Sequence, residues 1–374
     1  MSEKTVLVVF PSAFSLNKID ALEASISNIL KIKKQNFTCI RKNSSVIVIE
    51  ANDPVLASSA IGSLFGIDKI AIAKEVKNQF NVVLTTITNT SMNLLLKGEK
   101  FYIKIEGKTT DYLAKDLEVA ATTSLIERSI DLQVKPGSES DHTRLLYTYL
   151  TESHAYVCIF VDKGLGGAPY NSQKETILCC IYDELSAITC LQSIKMGFDL
   201  KILVSYSDDS DLLKISKMIN RILPSIAQEK IILQFCKMPK IQDLLTKILI
   251  VTHLMTSIAS SRNIKHISLS ILPFAFPIWF IEDNAKIVLQ KNLMPWLPLA
   301  GMDSSIIENS KQIGLEKYLI NIENLCKSKF NKKNISKEKI QKNVNDALKN
   351  LEMVSLTVGQ KNVYDIIDSL RMNH

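Results

Sequence analysis

Two places in this chain have residue types that suit chemistry: a strand-to-helix turn at residues 181 to 186, and a cysteine near the C-terminus. A glycine-rich hinge, Gly164-Leu165-Gly166-Gly167-Ala168-Pro169, leads through an apolar strand from Thr176 to Ile181 into a helix from Glu184 to Met196. A turn in that position holds phosphate when small residues let backbone N–H groups and the positive end of the helix dipole approach an anion. This turn is built instead from Ile181, Tyr182, Asp183, Glu184, Leu185 and Ser186. Tyr182 and Leu185 are bulky, and Asp183 and Glu184 would repel phosphate. The pattern suits an ordinary helix entry, with Asp183 as N-cap and Glu184 in the first turn. The cysteine is Cys326, beside Lys327 and Lys329, whose positive charge favours a thiolate.

Other chemistries lack their residues. Seven cysteines (39, 158, 179, 180, 190, 236 and 326) include no CxxC pair or metal-like spacing, so most read as small core residues and no metal is expected. The five histidines form no HExxH, and no serine lies in a GxSxG elbow. His253, in an apolar helical stretch, reads as a core histidine.

The elements that must position these residues fall into two textures. Thr5–Phe10 forms a strand, Leu16–Ile32 a helix, Phe37–Arg41 and Ser45–Glu50 a strand pair, Asp53–Phe65 a helix stopped by Gly66, and Ile67–Ala73 a strand. That order is a ferredoxin-like split unit. Helices at Phe80–Leu96 and Ala114–Ile130 then alternate with strands at Phe101–Glu106, Leu145–Leu150 and Tyr156–Val161. Beyond the hinge, strands at Leu200–Tyr206, Ile231–Phe235 and Ile267–Leu272 alternate with helices at Asp211–Leu223 and Ile241–Ser260, the signature of a parallel sheet with crossover helices.

Length suits two or three domains, and 46% hydrophobic with 22% charged residues is the balance of a globular chain. The most membrane-like uncharged stretch, Ile267–Ile281, is too short to cross a bilayer and holds Pro273 and Pro277. The N-terminal residues enter a strand without the pattern of a signal peptide, so a cytoplasmic protein without a membrane partner is expected. Net charge is +7, and residues 326 to 350 carry eight lysines against Glu338 and Asp346, or +6 of it. Such a cluster suits either phosphate contact or a solvated face.

The hinge Gly164–Pro169 resembles the linker of tRNA 4-thiouridine synthetases (tRNA sulfurtransferases), which join an RNA-binding THUMP domain to an adenylating PP-loop domain. Asp131-Leu132-Gln133-Val134-Lys135-Pro136 sits as in THUMP domains, and Pro298-Leu299 before a helix ending at Ile313-Gly314 resembles the family's late sheet segment. The resemblance implies an α+β N-terminal half, ferredoxin-like unit (1–78) plus THUMP (79–168). An α/β parallel-sheet, PP-loop-like domain of adenine nucleotide alpha hydrolase type (169–330) and a basic C-terminal helical segment (331–374) would follow. Where the family has Ser-Gly-Gly-x-Asp-Ser, this chain keeps only Ser186. Its counterpart of the family's Gly-Glu-x-x-Gly-Gln is the apolar stretch Ser270–Ala275, so the PP-loop reads as degenerate and no nucleotide cofactor is expected. Cys326, twelve residues after Gly314, matches the family's sulfur-handling cysteine, whereas the Cys-x-x-Cys of archaeal-type members is absent at Leu244–Lys247.

By the resemblance, the partner is the acceptor region of tRNA. Lys97, Lys100, Lys104, Lys108, Arg128, Lys135, Arg144 and Lys163 are candidate contacts, joined by Arg41, Lys42, Lys31, Lys33 and Lys34 from the first unit. Another tRNA-modifying enzyme and a second copy of the chain are further candidate partners. The expectation is a tRNA-binding protein without adenylation, accessory to tRNA modification. Two alternatives stay open: an active sulfurtransferase that uses ATP and carries sulfur on Cys326, and a protein-interaction scaffold that binds no RNA.

Overall fold

The computed structural model describes residues 4–301, 304–312, 314, 315, 320, 324, 327, 328, 330, 336–358 and 362–372. The chain divides into two compact units, the first made of residues 1–19, 33–62 and 67–164, the second of 20–32, 63–66 and 165–374.

The first unit is built on one eight-stranded sheet. Its elements are β1 (Lys4–Pro11), β2 (Phe37–Asn43), β3 (Val46–Ala51), α2 (Pro54–Ile61), β4 (Ile67–Lys77), α3 (Phe80–Leu94), β5 (Lys100–Gly107), α4 (Ala114–Arg128), β6 (Lys135–Pro136), β7 (Arg144–Leu150) and β8 (His154–Gly166). Between β1 and β2 the chain forms α1 (Ile19–Ile32), which groups with the second unit. The strand order β2-β3-β1-β4-β8-β7-β5-β6 runs the ferredoxin-like strands and the THUMP strands into one surface. Val6 to Phe10 of β1 are buried on both faces, as a central strand's continuous apolar run requires. The β2–β3 hairpin turns tightly, pairing Asn43 with Val46, with Ser44 at φ +58°. Along β5, Phe101, Ile103 and Ile105 turn inward to pack with Val83 and Ile87 of α3 and Leu117, Ala121 and Leu125 of α4. Helix α2, expected to reach Phe65, ends at Ile61 and is capped by Gly62, whose N–H bonds the Ser58 carbonyl. Phe65 then enters the core of the second unit.

The second unit is a mostly parallel α/β sheet. Its elements are β9 (Thr176–Ile181), α5 (Glu184–Lys195), β10 (Asp199–Tyr206), α6 (Asp209–Ile222), β11 (Lys230–Lys237), α7 (Leu244–Ser261), β12 (His266–Ser268), α8 (Ile278–Leu289), β13 (Met294–Trp296), α9 (Ser304–Gln312), α10 (Lys337–Lys349), β14 (Leu351–Thr357) and α11 (Asn362–Met372). The order is β13-β12-β9-β10-β11-β14, and all pairings are parallel except β14 on β11.

Two expectations need correction. The strand expected at 267–272 pairs only over His266–Ser268. Leu269 then donates its N–H to the Trp296 carbonyl, and the Leu272 carbonyl accepts from Ala275 and Phe276, which turns the chain out of the sheet. The C-terminal segment expected to be helical contributes β14, whose alternating Val354 and Leu356 bury against the sheet. Among the described residues, α7 is the one helix long and apolar enough to cross a membrane, with a mean hydropathy of 1.4, although it carries Lys247. It serves as a core helix through Ile248, Val251 and Met255.

Gly107 ends β5 at φ +100°, and a Cβ there would sit 2.0 Å from the Leu150 carbonyl oxygen. Gly107→Ala is expected to destabilise the first unit by more than about 1 kcal/mol, measured as a lowered midpoint of its thermal unfolding transition.

Candidate functional site

In an open parallel sheet, ligands bind beyond the carboxyl ends of the strands where the strand order reverses. That point lies between β9 and β12, since the chain winds from β9 through β10 to β11 and then returns to the other side of β9. Two segments are placed there by the topology: the turn from β9 into α5, and residues 269–276 after β12.

The turn is closed by its own side chains. The Asp183 carboxylate accepts the Ser186 N–H at 2.9 Å, while the Ser186 hydroxyl oxygen accepts the N–H groups of Tyr182 at 2.8 Å and Asp183 at 2.9 Å. Together these form a reciprocal capping box on α5. Tyr182 is 2% exposed, and its phenol is hydrogen-bonded to the Ser270 side chain. The Tyr182 carbonyl accepts Lys247 Nζ at 3.1 Å, and the same ammonium lies 5.1 Å from the Tyr182 ring centroid. Glu184 is buried against an ion pair with Lys214. Leu185, Ile271 and Leu272 fill the surroundings with apolar side chains. The dipole's positive end therefore already faces an anion, the Asp183 carboxylate. Burial pushes the Asp183 carboxyl above its usual range, against the lowering effect of the Ser186 amide and of Lys247. It also pushes the Tyr182 phenol and the Cys180 thiol well up.

One strand over, a cavity of about 450 Å³ opens beyond the carboxyl ends of β10 and β11. Its acids are committed locally. Asp208 caps α6 by accepting the Asp211 N–H at 3.0 Å, which holds its carboxyl below the usual range, and Asp211 accepts the Ser207 N–H at 3.0 Å. Lys214, which pairs with Glu184, and the exposed Lys240 complete a rim of mixed charge.

On the first unit, β5, β6 and β7 gather part of the expected cationic set. Lys100 registers with Lys135, and Phe101 with Arg144, which brings the starts of β6 and β7 to either side of the start of β5. Several of these charges are neutralised. Lys100 pairs with Asp141 at 2.7 Å, Lys104 with Glu139 at 3.1 Å and Glu106 at 3.2 Å, and Arg144 with Glu99 at 3.0 Å. Glu139 and Glu106 raise the Lys104 pKa. The Leu96 amide, and then Arg144, lower the Glu99 carboxyl.

Arg128, at the end of α4, donates to Asn89 at 3.2 Å. Lys97, Lys108 and Lys135 are exposed without an ion pair or side-chain hydrogen bond among the described residues, and Lys163 is exposed. Arg41 and Lys42 lie on β2, at the opposite edge of the sheet, where Arg41 pairs with Glu75. Lys31 closes α1, which groups with the second unit.

Two cations were invisible in the sequence pattern. Lys247 was notable only as a place without a cysteine. Lys69 lies 5.1 Å from the Tyr147 ring centroid and 3.5 Å from Glu106, which also accepts the Tyr147 hydroxyl at 2.6 Å. Cys326 lies outside the described residues. Cys158, Cys179, Cys180, Cys190 and Cys236 are buried, and burial lifts the Cys236 thiol to about 12. Among the described residues no group of His, Cys, Asp and Glu is arranged to hold a metal ion. His253 is half-buried, and burial lowers its pKa.

No protein-family model and no curated protein matches the chain by sequence. Solved structures do match by fold. A 4-thiouridine synthetase, determined in complex with RNA and with ATP bound, superposes with a TM-score of 0.69 at 14% identity over 95% of this chain and 100% of that one. PH1313 from Pyrococcus horikoshii Ot3 superposes with a TM-score of 0.61 at 16% identity over 83% of this chain and 99% of that one. The fold is therefore the expected one, an α+β THUMP-bearing half followed by a PP-loop-like α/β half.

The raised Asp183 pKa fixes the sign of a pH effect. A carboxyl whose folded-state pKa exceeds its unfolded value near 3.8 carries no penalty below that value and an increasing one as pH rises through the folded pKa. Asp183→Asn keeps the capping acceptor without the charge. Its thermal midpoint should exceed that of the parent protein at pH 7, and the gap should narrow as pH falls toward 4.

Proposed function

We propose that this protein binds tRNA through its N-terminal unit and that its α/β unit, derived from an adenylating fold, does not activate RNA with ATP. The observation that carries the RNA half of this reading is the fold match over nearly the whole of both chains to a synthetase captured with RNA. Folded RNA is held mainly by backbone charge and shape, which a fold can preserve while its sequence diverges. Lys97 and Lys135, exposed and unneutralised beside the start of β5, are the side chains best placed for phosphate contact.

The ATP half rests on the β9–α5 turn. A nucleotide's phosphates would need the amide of Ser186, which Asp183 holds, and would meet the carboxylates of Asp183 and Glu184. Of the two cations at this turn, Lys247 is spent on a carbonyl and a ring, and Lys214 on Glu184. The residues present do not fit a triphosphate there, so no chemical step through ATP is assigned. In this reading the α/β unit serves as a scaffold or docks a second tRNA-modifying enzyme, and the protein acts without a cofactor.

Isothermal titration of one preparation with tRNA and with ATP tests both halves. tRNA should bind with an affinity that falls steeply with salt, ATP should release no binding heat, and no ATP-dependent sulfur transfer to tRNA should be seen. Lys97→Glu combined with Lys135→Glu should weaken tRNA binding roughly tenfold or more and flatten the salt slope by about one per lysine. ATP binding or sulfur transfer would overturn the scaffold reading, and salt-independent or absent tRNA binding the RNA reading.

A further inference from the structure

Like Lys97, Lys108 and Lys135 of the N-terminal unit, and unlike Lys100, Lys104 and Arg144, the lysines of α10 have no carboxylate partner among the described residues. Helix α10 is fixed by one seam: Ile340, Val344 and Ala347, spaced i, i+4, i+7, are buried in the core beneath α7 and β11. Its entry is capped by Ser336, whose hydroxyl accepts the Lys339 N–H at 3.3 Å. The opposite face is exposed and centres on Lys342 and Lys349, two turns or about 10 Å apart, with Lys339 on its flank.

Glu338 and Asp346 are each four residues from Lys342, the spacing at which helix ion pairs form. Among the described residues neither is paired, and Lys337, Lys339, Lys342 and Lys349 make no ion pair. On β5 and β7, by contrast, Lys100, Lys104 and Arg144 all have carboxylate partners. The sequence leading into α10 adds Lys327, Lys329, Lys332 and Lys333, so residues 326 to 350 hold +6 of the chain's +7 and leave the remainder close to neutral.

We propose that the outer face of α10 is a second phosphate-binding surface, in the C-terminal unit, that contacts the backbone of the same structured RNA. A row of unneutralised ammonium groups on a packed helix matches a polyanion of regularly spaced phosphates, and binding gains from release of the RNA's condensed counterions. Because the face carries no aromatic side chain and no planar guanidinium, it contributes affinity and salt dependence rather than base recognition. The proposal rests on the tRNA-binding reading but uses different residues, so the two fail separately.

The test is tRNA binding by the full-length chain across a salt series, comparing the parent protein with Lys342→Gln/Lys349→Gln. The double variant should show an affinity lower by about tenfold and a log K against log salt slope shallower by one to two, since each phosphate-contacting lysine adds about one. Lys342→Arg/Lys349→Arg should restore both, and the thermal midpoint should stay that of the parent. An unchanged slope in the Gln variant would overturn the surface while leaving the N-terminal contacts standing. No tRNA binding by the parent protein would overturn both readings. If the Gln variant instead lost binding to phosphatidylserine vesicles with tRNA affinity unaltered, the face would belong to a membrane and the RNA assignment would be wrong.

Discussion

The reciprocal cap between Asp183 and Ser186 governs the carboxyl end of the second unit's sheet. At the first turn of α5, donors that would otherwise face outward are used within six residues. The Ser186 amide goes to Asp183, and the Tyr182 and Asp183 amides go to the Ser186 hydroxyl. A helix start satisfied this way needs no ligand, and a carboxylate on a stretch of backbone costs less to hold in place than a diffusible anion. Tyr182 then fills the volume that a small residue would leave, and Lys247 ties the turn's carbonyl to α7. The switch point of the sheet thus becomes a piece of core.

Charge is handled differently in the two units. In the first, nearby carboxylates neutralise several of the basic side chains, as with Lys104 between Glu106 of its own strand and Glu139 of the β6–β7 loop, so formal charge overstates the field at the surface. Exposed pairs of this kind add little stability, but they do remove cations from service to a distant anion. In the second unit the C-terminal lysines keep their charge.

The regularity of the second unit was readable because its strands are short apolar runs between helical patterns, and β9, α5, β10, α6 and β11 all lie within a few residues of where periodicity placed them. The capping box was readable for a similar reason, since Asp183 and Ser186 are local partners. What escaped was long-range or irregular. Lys247 meets Tyr182 across 65 residues of sequence, and nothing in its own neighbourhood marks it as the cation of that turn. The run at 267–272 is apolar enough for a strand, yet its backbone bonds leave the ladder after Ser268. β14 was hidden by the lysine-rich helix before it, although Leu351–Thr357 alternates as an edge strand should. The cationic residues could be named from sequence, but which of them keep a free charge depends on carboxylates that only the sheet register brings near.

The antiparallel strand that ends the sheet also shapes how the molecule is made. β11 is complete at Lys237, but its outer edge stays open until residues 351 to 357 pair with it, more than a hundred residues later. During synthesis an apolar strand with a free ladder edge is therefore held waiting, the kind of edge that recruits other chains. Such a late, sequence-distant closure is slow to form. A chain stopped short of Leu351 would lose both the strand that seals β11 and α11, whose Ile366 and Leu370 pack into the same core, and the open edge of β11 would invite association with other chains.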